Sequence, residues 1–134
     1  MNKSVHESGK RKRAIARATL NEGSGIIRIN NQLLDHLNNK IARMKILEPL
    51  MLAGDVMKKI NIDVKVAGGG FQSQAEAARL AIAKALVNYT KSDKLKSTFL
   101  EYDRHLLVAD IRKNEPCKPN DSDKPRKKRQ KSYR

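Results

Sequence analysis

The last 22 residues of this chain contain no aliphatic side chain. From Arg112 to the end, ten residues are basic and three are acidic, and three of the four prolines of the chain fall in the same segment. Such a segment buries too little apolar surface to offset the entropy lost when it orders. We therefore expect a globular domain over residues 1–112, followed by an extended tail over residues 113–134 that becomes ordered only on a polyanion.

The whole chain is strongly basic. Its 134 residues are enough for one domain, and 29 Lys and Arg residues against 14 Asp and Glu residues give a net charge of +15. A compact domain with this much like charge repels itself, so the composition indicates a polyanionic partner, with nucleic acid favoured over an anionic membrane surface. We expect no membrane span and no signal peptide, because neither a long apolar run nor an apolar N-terminal stretch is present.

Several stretches of the sequence have the apolar patterns of β-strands. Residues 60–66 alternate apolar and polar side chains, which predicts a half-buried strand. Residues 11–20 and 26–30 show similar patterns. The five residues between them include two glycines, so we predict that these two strands form a hairpin. Residues 106–109 are a further short apolar run, which we predict as the last strand.

The helical patterns lie between and after these strands. Residues 39–53 carry apolar side chains at helical spacing (Ile41, Met44, Leu47 and Met51), with Pro49 expected to break or kink the helix. Ser73 and Glu76 have the spacing of a capping box and open an alanine-rich helix, with Arg79 predicted to point outward. A shorter helix is predicted near 93–101. This order of elements indicates an α+β fold, a two-layer sandwich with helices on one face of a small sheet.

Three segments could bind RNA or another polyanion. The first is the run Lys10, Arg11, Lys12 and Arg13, which opens a strand. Four consecutive cations cannot all be buried, so they face either solvent or phosphate, and the net charge favours phosphate. A merely solvated strand end is the alternative.

The second segment is the glycine triplet Gly68, Gly69 and Gly70, which joins a strand to a helix. Glycines at a helix N-terminus allow close backbone approach and offer free N–H groups to phosphate. A nucleotide-binding enzyme uses the same parts, but the spacing fits neither of the common nucleotide-binding motifs. A tight turn with no ligand is the other alternative.

The third segment is the end of the tail. Residues 124–134 contain seven cations and no acid, with Tyr133 next to the C-terminus. The cations suit phosphates, and the tyrosine ring can stack on an unpaired base. A localisation signal or a solubility tail is the alternative reading of the same pattern.

The sequence gives little support for catalysis. The three histidines stand far apart, and no catalytic residue, metal site or cofactor is predicted. The single cysteine, Cys117, cannot form an internal disulfide, which suits a reducing intracellular compartment, and we expect it to have no chemical role.

Several longer motifs together resemble one family. They are Gly-Lys-Arg-Lys-Arg-Ala-Ile-Ala-Arg-Ala from Gly9, Leu-Glu-Pro-Leu from Leu47, Asp-Val-Lys-Val-Ala-Gly-Gly-Gly-Phe-Gln from Asp63, Gln-Ala-Glu-Ala-Ala-Arg-Leu-Ala-Ile-Ala-Lys-Ala-Leu from Gln74, and the ending Arg-Gln-Lys-Ser-Tyr-Arg. In combination they resemble the ninth-protein family of the small ribosomal subunit over nearly the whole chain. Three stretches resemble the archaeal and eukaryotic-cytosolic branch of this family in particular. They are Leu-Glu-Pro-Leu from Leu47, the stretch Phe99–Asp103 and the ending Arg-Gln-Lys-Ser-Tyr-Arg.

The resemblance implies more than the patterns do. It implies a left-handed βαβ crossover in a small mixed sheet, and a structural protein, not an enzyme, in the head of the small subunit of cytoplasmic ribosomes. It implies contacts with small-subunit ribosomal RNA, with neighbouring ribosomal proteins of the head, and with the anticodon stem-loop of the tRNA in the peptidyl site. Carried over by motif, ribosomal RNA contacts fall on Lys10, Arg11, Lys12, Gly69, Gly70, Arg126, Lys127, Lys128 and Arg129, and tRNA contacts on Lys131 and Arg134. The two acids within residues 120–124 depart from the family pattern and leave the path of residues 118–124 open.

Two other classes of function compete with this reading. A phosphotransferase would need a base and a metal-binding carboxylate near residues 68–73, and stabilisation of the protein by ATP would favour it. A DNA-compacting protein would explain the charge but not the match along the whole chain. Equal affinity for duplex DNA and ribosomal RNA would favour that second class.

Overall fold

The computed structural model describes residues 4–117. Five strands and three α-helices make up the described domain. They are β1 (Val5–Arg11), β2 (Ala14–Glu22), β3 (Ile27–Ile29), β4 (Gln32–Leu33), α1 (Lys40–Ala53), β5 (Ile60–Ala67), α2 (Phe71–Thr90) and α3 (Asp93–Tyr102). The predicted α+β class is confirmed. Residues 113–117 have no regular structure, and the predicted boundary at 112/113 stays a prediction.

The sheet has the strand order β1-β2-β5-β3-β4. All neighbours are antiparallel except β3 and β5, which are parallel and are joined through α1 as a βαβ unit. The predicted hairpin between residues 11–20 and 26–30 is wrong. β2 instead forms a hairpin with β1, and β5 lies between β2 and β3.

The loop between β2 and β3 follows the start of β5. The backbone N–H groups of Gly23 and Gly25 donate to the carbonyl oxygens of Lys59 and Ile60, and the side-chain oxygen of Asn61 accepts from Ser24 and Ile26. These bonds hold the chain as it crosses the start of β5, so that β3 pairs with the edge of β5 opposite to β2. A period-two pattern fixes which face of a strand is buried, but it does not identify the strand's neighbour.

Helix α2 packs on β1 and β2 through small side chains. It buries Ala75, Ala77, Ala78, Ala81 and Ala85 against a sheet face that includes Gly9 and the buried β2 residues Ala14, Ala16 and Ala18. A Cβ atom built on Gly9 would lie 2.3 Å from the carbonyl oxygen of Ala77 and 2.8 Å from the backbone nitrogen of Ala81. The helix backbone therefore touches the strand backbone directly, which only glycine allows.

Larger apolar side chains fill the rest of the core. Leu20, Ile60, Ile62, Ile82, Leu86, Phe99 and Leu106 are all fully buried. Because Leu106 lies in a 3-10 turn, Arg104–Leu106, and no strand covers residues 106–109, the last predicted strand is wrong. The apolar run was real, but it packs as a turn against the helices.

Helix α1 differs from its prediction in two respects. It continues through Pro49, which is buried, and ends at Ala53. Its buried residues are Ile46, Pro49, Leu50 and Ala53, whereas Ile41, Met44 and Met51 are more than half exposed. Apolar spacing therefore identified a helix correctly but selected the wrong face.

The start of α2 also differs from its prediction. The helix begins at Phe71 with Gly70 as its N-cap, and no side chain caps it. Ser73 lies inside the first turn, and Glu76 binds cations of other elements instead of closing a capping box.

The close contact at Gly9 predicts a sharp difference between two glycine substitutions. Gly9→Ala should lower the free energy of unfolding by about 3 kcal/mol, because the added methyl group forces β1 and α2 apart. Gly70→Ala is the control, since a Cβ atom there meets nothing within 4 Å and its φ is −97°. It should cost less than about 1 kcal/mol. Urea unfolding followed by circular dichroism measures both, and equal losses would contradict the packing described.

Candidate nucleic-acid interface

The four consecutive cations lie at one end of the sheet, in and around the β1–β2 turn. Lys10 and Arg11 end β1, while Lys12 and Arg13 form the two-residue turn before Ala14. Lys12 has a φ of 52°, in the left-handed region that a lysine adopts only at some cost. The tight turn exposes Lys12 and Arg13 to solvent.

The glycine triplet lies beside this turn. Ile15 of β2 pairs with Ala67 at the end of β5, so that the chain passes Arg13 as it leaves the sheet. A Cβ atom on Gly68 would lie 2.6 Å from the Arg13 carbonyl oxygen, and one on Gly69 would lie 3.1 Å from the Ala14 nitrogen. Two segments selected separately in the sequence, Lys10–Arg13 and Gly68–Gly70, thus form one surface, here called the turn site.

The three glycines serve different needs. Gly68 and Gly69 have φ values of +79° and +65° and lie against the β1–β2 turn, so the fold itself accounts for both. Gly70 has an ordinary φ and open space around its Cα atom. It stands directly before the uncapped N-terminus of the 20-residue helix α2, where backbone N–H groups and the helix dipole favour an anion.

Arg11 is held apart from the other three cations. Its Nε donates to the Glu76 carboxylate at 2.7 Å, and its Nη2 lies 3.5 Å from Asp110. The side chain is only 15% exposed, since its position in β1 points towards α2. Its charge is thus already balanced by carboxylates of the domain.

Arg11 belongs to a wider group of ion pairs, which joins the helices to residues 103–112 at the end of the domain. Glu76 also binds Lys45 of α1 at 2.9 Å. Arg79, which was predicted to point outward, lies 2.6 Å from Glu48 and 2.9 Å from Asp103, and it is only 13% exposed. We call this group, completed by Asp110 and Arg112, the anchor network.

The anchor network fixes where the tail begins. Asp110 receives the Arg112 guanidinium at 2.6 Å, and the Arg112 carbonyl oxygen lies 3.5 Å from Arg11 Nη1. Because Arg11 is the last residue of β1, the chain leaves the domain next to the turn site. The sequence did not indicate the ion pairs of Glu76 and Arg79, since their partners are distant in the chain.

Three carboxylates of the network, those of Glu76, Asp103 and Asp110, are stabilised in their charged form. Burial by itself raises the pKa of Glu76, but hydrogen bonds from Lys45 and Arg11 and the attraction of both cations hold that pKa below its ordinary value of 4.5. Burial likewise opposes ionisation of Asp103, yet the His105 N–H group and Arg79 lower its pKa. Hydrogen bonds from Arg112 lower the pKa of Asp110 strongly.

The remaining predicted contacts lie outside the described residues. They are Arg126, Lys127, Lys128 and Arg129 for ribosomal RNA, Lys131, Tyr133 and Arg134 for tRNA, and the path of residues 118–124. Within residues 4–117, no group of three or more His, Cys, Asp or Glu side chains could hold a metal ion. No helix in that range is long and apolar enough to cross a membrane.

Comparison with known proteins gives one consistent result. The family described as "Ribosomal protein S9/S16" matches residues 9–134. The chain is 53% identical over 133 residues to the protein named "Small ribosomal subunit protein uS9" of the archaeon Methanococcus vannielii. It is equally similar to the protein of that name from Methanococcus maripaludis strain C7. Each match covers 98% of this chain and 99% of the relative.

The anchor network predicts a measurable stability loss at Glu76. Glu76→Gln removes the charge that holds Arg11 and Lys45, and it should lower the free energy of unfolding at pH 7 by about 1 kcal/mol, because solvent partly screens these pairs. Since the pKa of Glu76 is lowered by folding, its contribution is present above about pH 4.5 and is lost as the pH falls below that value. The variant should therefore lose less stability than the parent between pH 6 and pH 3.

Asp55→Asn is the matched control for this substitution. Asp55 pairs with Lys58 within one exposed turn, and its side chain is 91% exposed. Its loss should change the free energy of unfolding by less than about 0.5 kcal/mol. Urea unfolding at several pH values compares the two variants, and an equal loss in both would show that the anchor network adds no stability.

Proposed function

The chain belongs to the S9/S16 family of ribosomal proteins, and from this premise we propose that it binds ribosomal RNA in the head of the small subunit and contacts the tRNA in the peptidyl site with its C-terminus. It acts there as a structural constituent of cytoplasmic ribosomes, beside other proteins of the head. The observation that carries the proposal is the extent of the family match. Residues 9–134 include both the turn site and the whole basic tail.

The body contributes through the turn site. Within residues 4–117, no ion pair involves Lys10, Lys12 or Arg13, and all three side chains are exposed. Unpaired cations at the surface release counterions when they meet phosphates, which is the main source of affinity for nucleic acid. Gly68–Gly70 lies beside them with little side-chain bulk, so that an RNA backbone can approach the start of α2 closely.

Arg11 has a different part in this proposal. Its ion pairs with Glu76 and Asp110 hold the last residue of β1 and the start of the tail together. A phosphate would have to displace two carboxylates to bind it. Arg11 therefore supports the turn site, while Lys10, Lys12 and Arg13 make the contacts with ribosomal RNA.

The tail contributes affinity and reach. Arg126, Lys127, Lys128 and Arg129 bind phosphates of ribosomal RNA, and Lys131, Tyr133 and Arg134 contact the anticodon stem-loop of the tRNA. Tyr133 has an aromatic ring that stacks on an exposed base, while the cations bind the backbone. Family membership and the composition of residues 124–134 support these assignments.

Truncation separates the contributions of body and tail. The full-length chain and a chain ending at residue 123 are titrated onto head-domain ribosomal RNA and onto unrelated RNA of equal length, at several salt concentrations. Both forms should prefer the head domain. The truncated form should lose about 4 to 5 units from the slope of log affinity against log salt, since six or seven phosphate contacts on single-stranded RNA are removed. If neither form distinguishes the two RNAs, binding is generic and the DNA-compacting alternative gains support.

Deletion of Arg134 tests the contact with tRNA. Subunits that carry the shortened protein should assemble normally but release tRNA from the peptidyl site faster at low magnesium, because one cation is missing beside the tRNA backbone. Arg134→Lys is the control, since it keeps the charge and should retain most of the effect. Unchanged tRNA retention in the deletion would contradict the role proposed for the tail.

A further inference from the structure

Among residues 4–117, the helices pack on one face of the sheet. α2 packs on β1, β2 and β5 from one side, and α1 packs on α2. On the other side the strands present a row of mostly polar side chains to solvent. We call this surface the open sheet face, and it comprises His6, Ser8, Lys10, Ile15, Arg17, Thr19, Arg28, Asp63 and Lys65.

The strand register collects cations on this face. Arg17 of β2 pairs directly with Lys65 of β5, and Arg28 of β3 pairs with Asp63 one row further along. Lys10 on β1 faces the same way, next to Ile15. Four cations and one carboxylate thus share a surface about 14 Å across, given a strand spacing of about 4.8 Å.

These cations lack partners within the domain. Among residues 4–117, no ion pair involves Lys10, Arg17, Arg28 or Lys65, and all four are exposed. Like charges directly opposite each other on neighbouring strands destabilise a sheet. The Arg17–Lys65 pair is therefore unfavourable in the isolated protein, and a polyanion placed over it removes the repulsion.

The chemistry of the face selects the kind of polyanion. The one ring among its residues is that of His6, which is hydrogen-bonded to the Thr19 hydroxyl at 2.8 Å. Recognition of single-stranded RNA depends on successive bases stacking on aromatic rings, which a single ring does not provide. Among the described strand residues of this face, the exposed large apolar side chains are Ile15 of β2 and Leu33 of β4, which are 40% and 41% exposed. They lie on strands separated by β5 and β3, so they do not form an extensive apolar surface for a protein partner. Cations on rigid strands suit phosphates whose positions are also fixed, as in a double helix.

We propose that the open sheet face binds the phosphate backbone of a double-helical segment of ribosomal RNA, through Lys10, Arg17, Arg28 and Lys65. This inference rests on the proposed function and adds a second RNA-binding surface to it. Lys10 lies at the junction of the turn site and the open sheet face, so that the RNA surface of the body is continuous around this end of the sheet.

Two triple variants of the full-length chain test the proposal. The sheet variant is Arg17→Gln, Arg28→Gln and Lys65→Gln. The control variant is Lys91→Gln, Lys94→Gln and Lys96→Gln, which removes the same charge from exposed positions at the end of α2 and in α3. Each is titrated onto a double-helical fragment of head-domain ribosomal RNA and onto a single strand of equal length, between 50 and 200 mM salt.

The sheet variant should lose about 2.7 units of salt slope on the duplex, for three phosphate contacts at about 0.9 each. Its deficit in affinity relative to the parent should then be about 40-fold larger at 50 mM salt than at 200 mM. The control should lose less than about 0.5 units. Equal losses in the two variants would overturn the proposal, and an equal loss on the single strand would overturn the choice of a duplex.

Two further measurements guard against misfolding and against failure of the premise. The melting temperature of the sheet variant should equal or exceed that of the parent, because the Arg17–Lys65 repulsion is gone. Asp63→Asn removes the one carboxylate of the face, and it should tighten duplex binding, whereas weaker binding would count against the proposal.

If the parent chain itself shows no preference for ribosomal RNA, the proposed function fails. If it does and the two triple variants behave alike, only this inference fails.

Discussion

Repulsion among surplus cations is the constraint on which the arrangement of this domain depends. With a net charge of +15 for the whole chain, the carboxylates are too few to neutralise every cation. Glu48, Glu76, Asp103 and Asp110 are concentrated in the anchor network, where they pair with Arg11, Lys45, Arg79 and Arg112. Lys10, Lys12 and Arg13 of the turn site, and the cations of the open sheet face, receive no such partners among the described residues. These carboxylates therefore stabilise the contacts among β1, α1 and α2, and the cations that have no carboxylate partner face solvent.

The sequence allowed good prediction of elements whose pattern is dictated by one buried face. Alternation identified β5 and most of β2, and the alanine-rich stripe identified α2. β1 was not predicted, and the strand predicted over residues 11–20 includes the turn at Lys12 and Arg13. Prediction failed where the position of a strand, or the buried face of a helix, depends on which other elements it packs against. Nothing local shows that β5 lies between β2 and β3, and helical spacing in α1 does not show that Ile41 and Met51 remain exposed. For the site, Lys10–Arg13 and Gly68–Gly70 were found separately, but their contact follows from the β2–β5 register, which no local pattern records.

One end of the sheet brings together the three basic parts of the molecule. The turn site lies at the β1–β2 turn, and the open sheet face extends from Lys10 across the strands. The tail follows Arg112, whose carbonyl oxygen lies beside Arg11. The turn and the sheet are rigid and hold their charges at fixed spacings, whereas the tail has a composition that cannot form a core of its own. In the proposed function, an ordered body that binds RNA beside it is thus joined directly to a segment that reaches RNA further away.

The small side chains between α2 and the sheet have a further consequence for folding entropy. Alanine and glycine have no rotamers to lose when they are buried, whereas a buried leucine or methionine loses side-chain freedom. The contact of α2 with Gly9, Ala14, Ala16 and Ala18 is therefore formed with little loss of side-chain entropy. It also buries little apolar area per residue, so its contribution depends on how closely the two backbones meet. A chain in which 32% of residues are charged can fold around such a core because few large apolar residues are required.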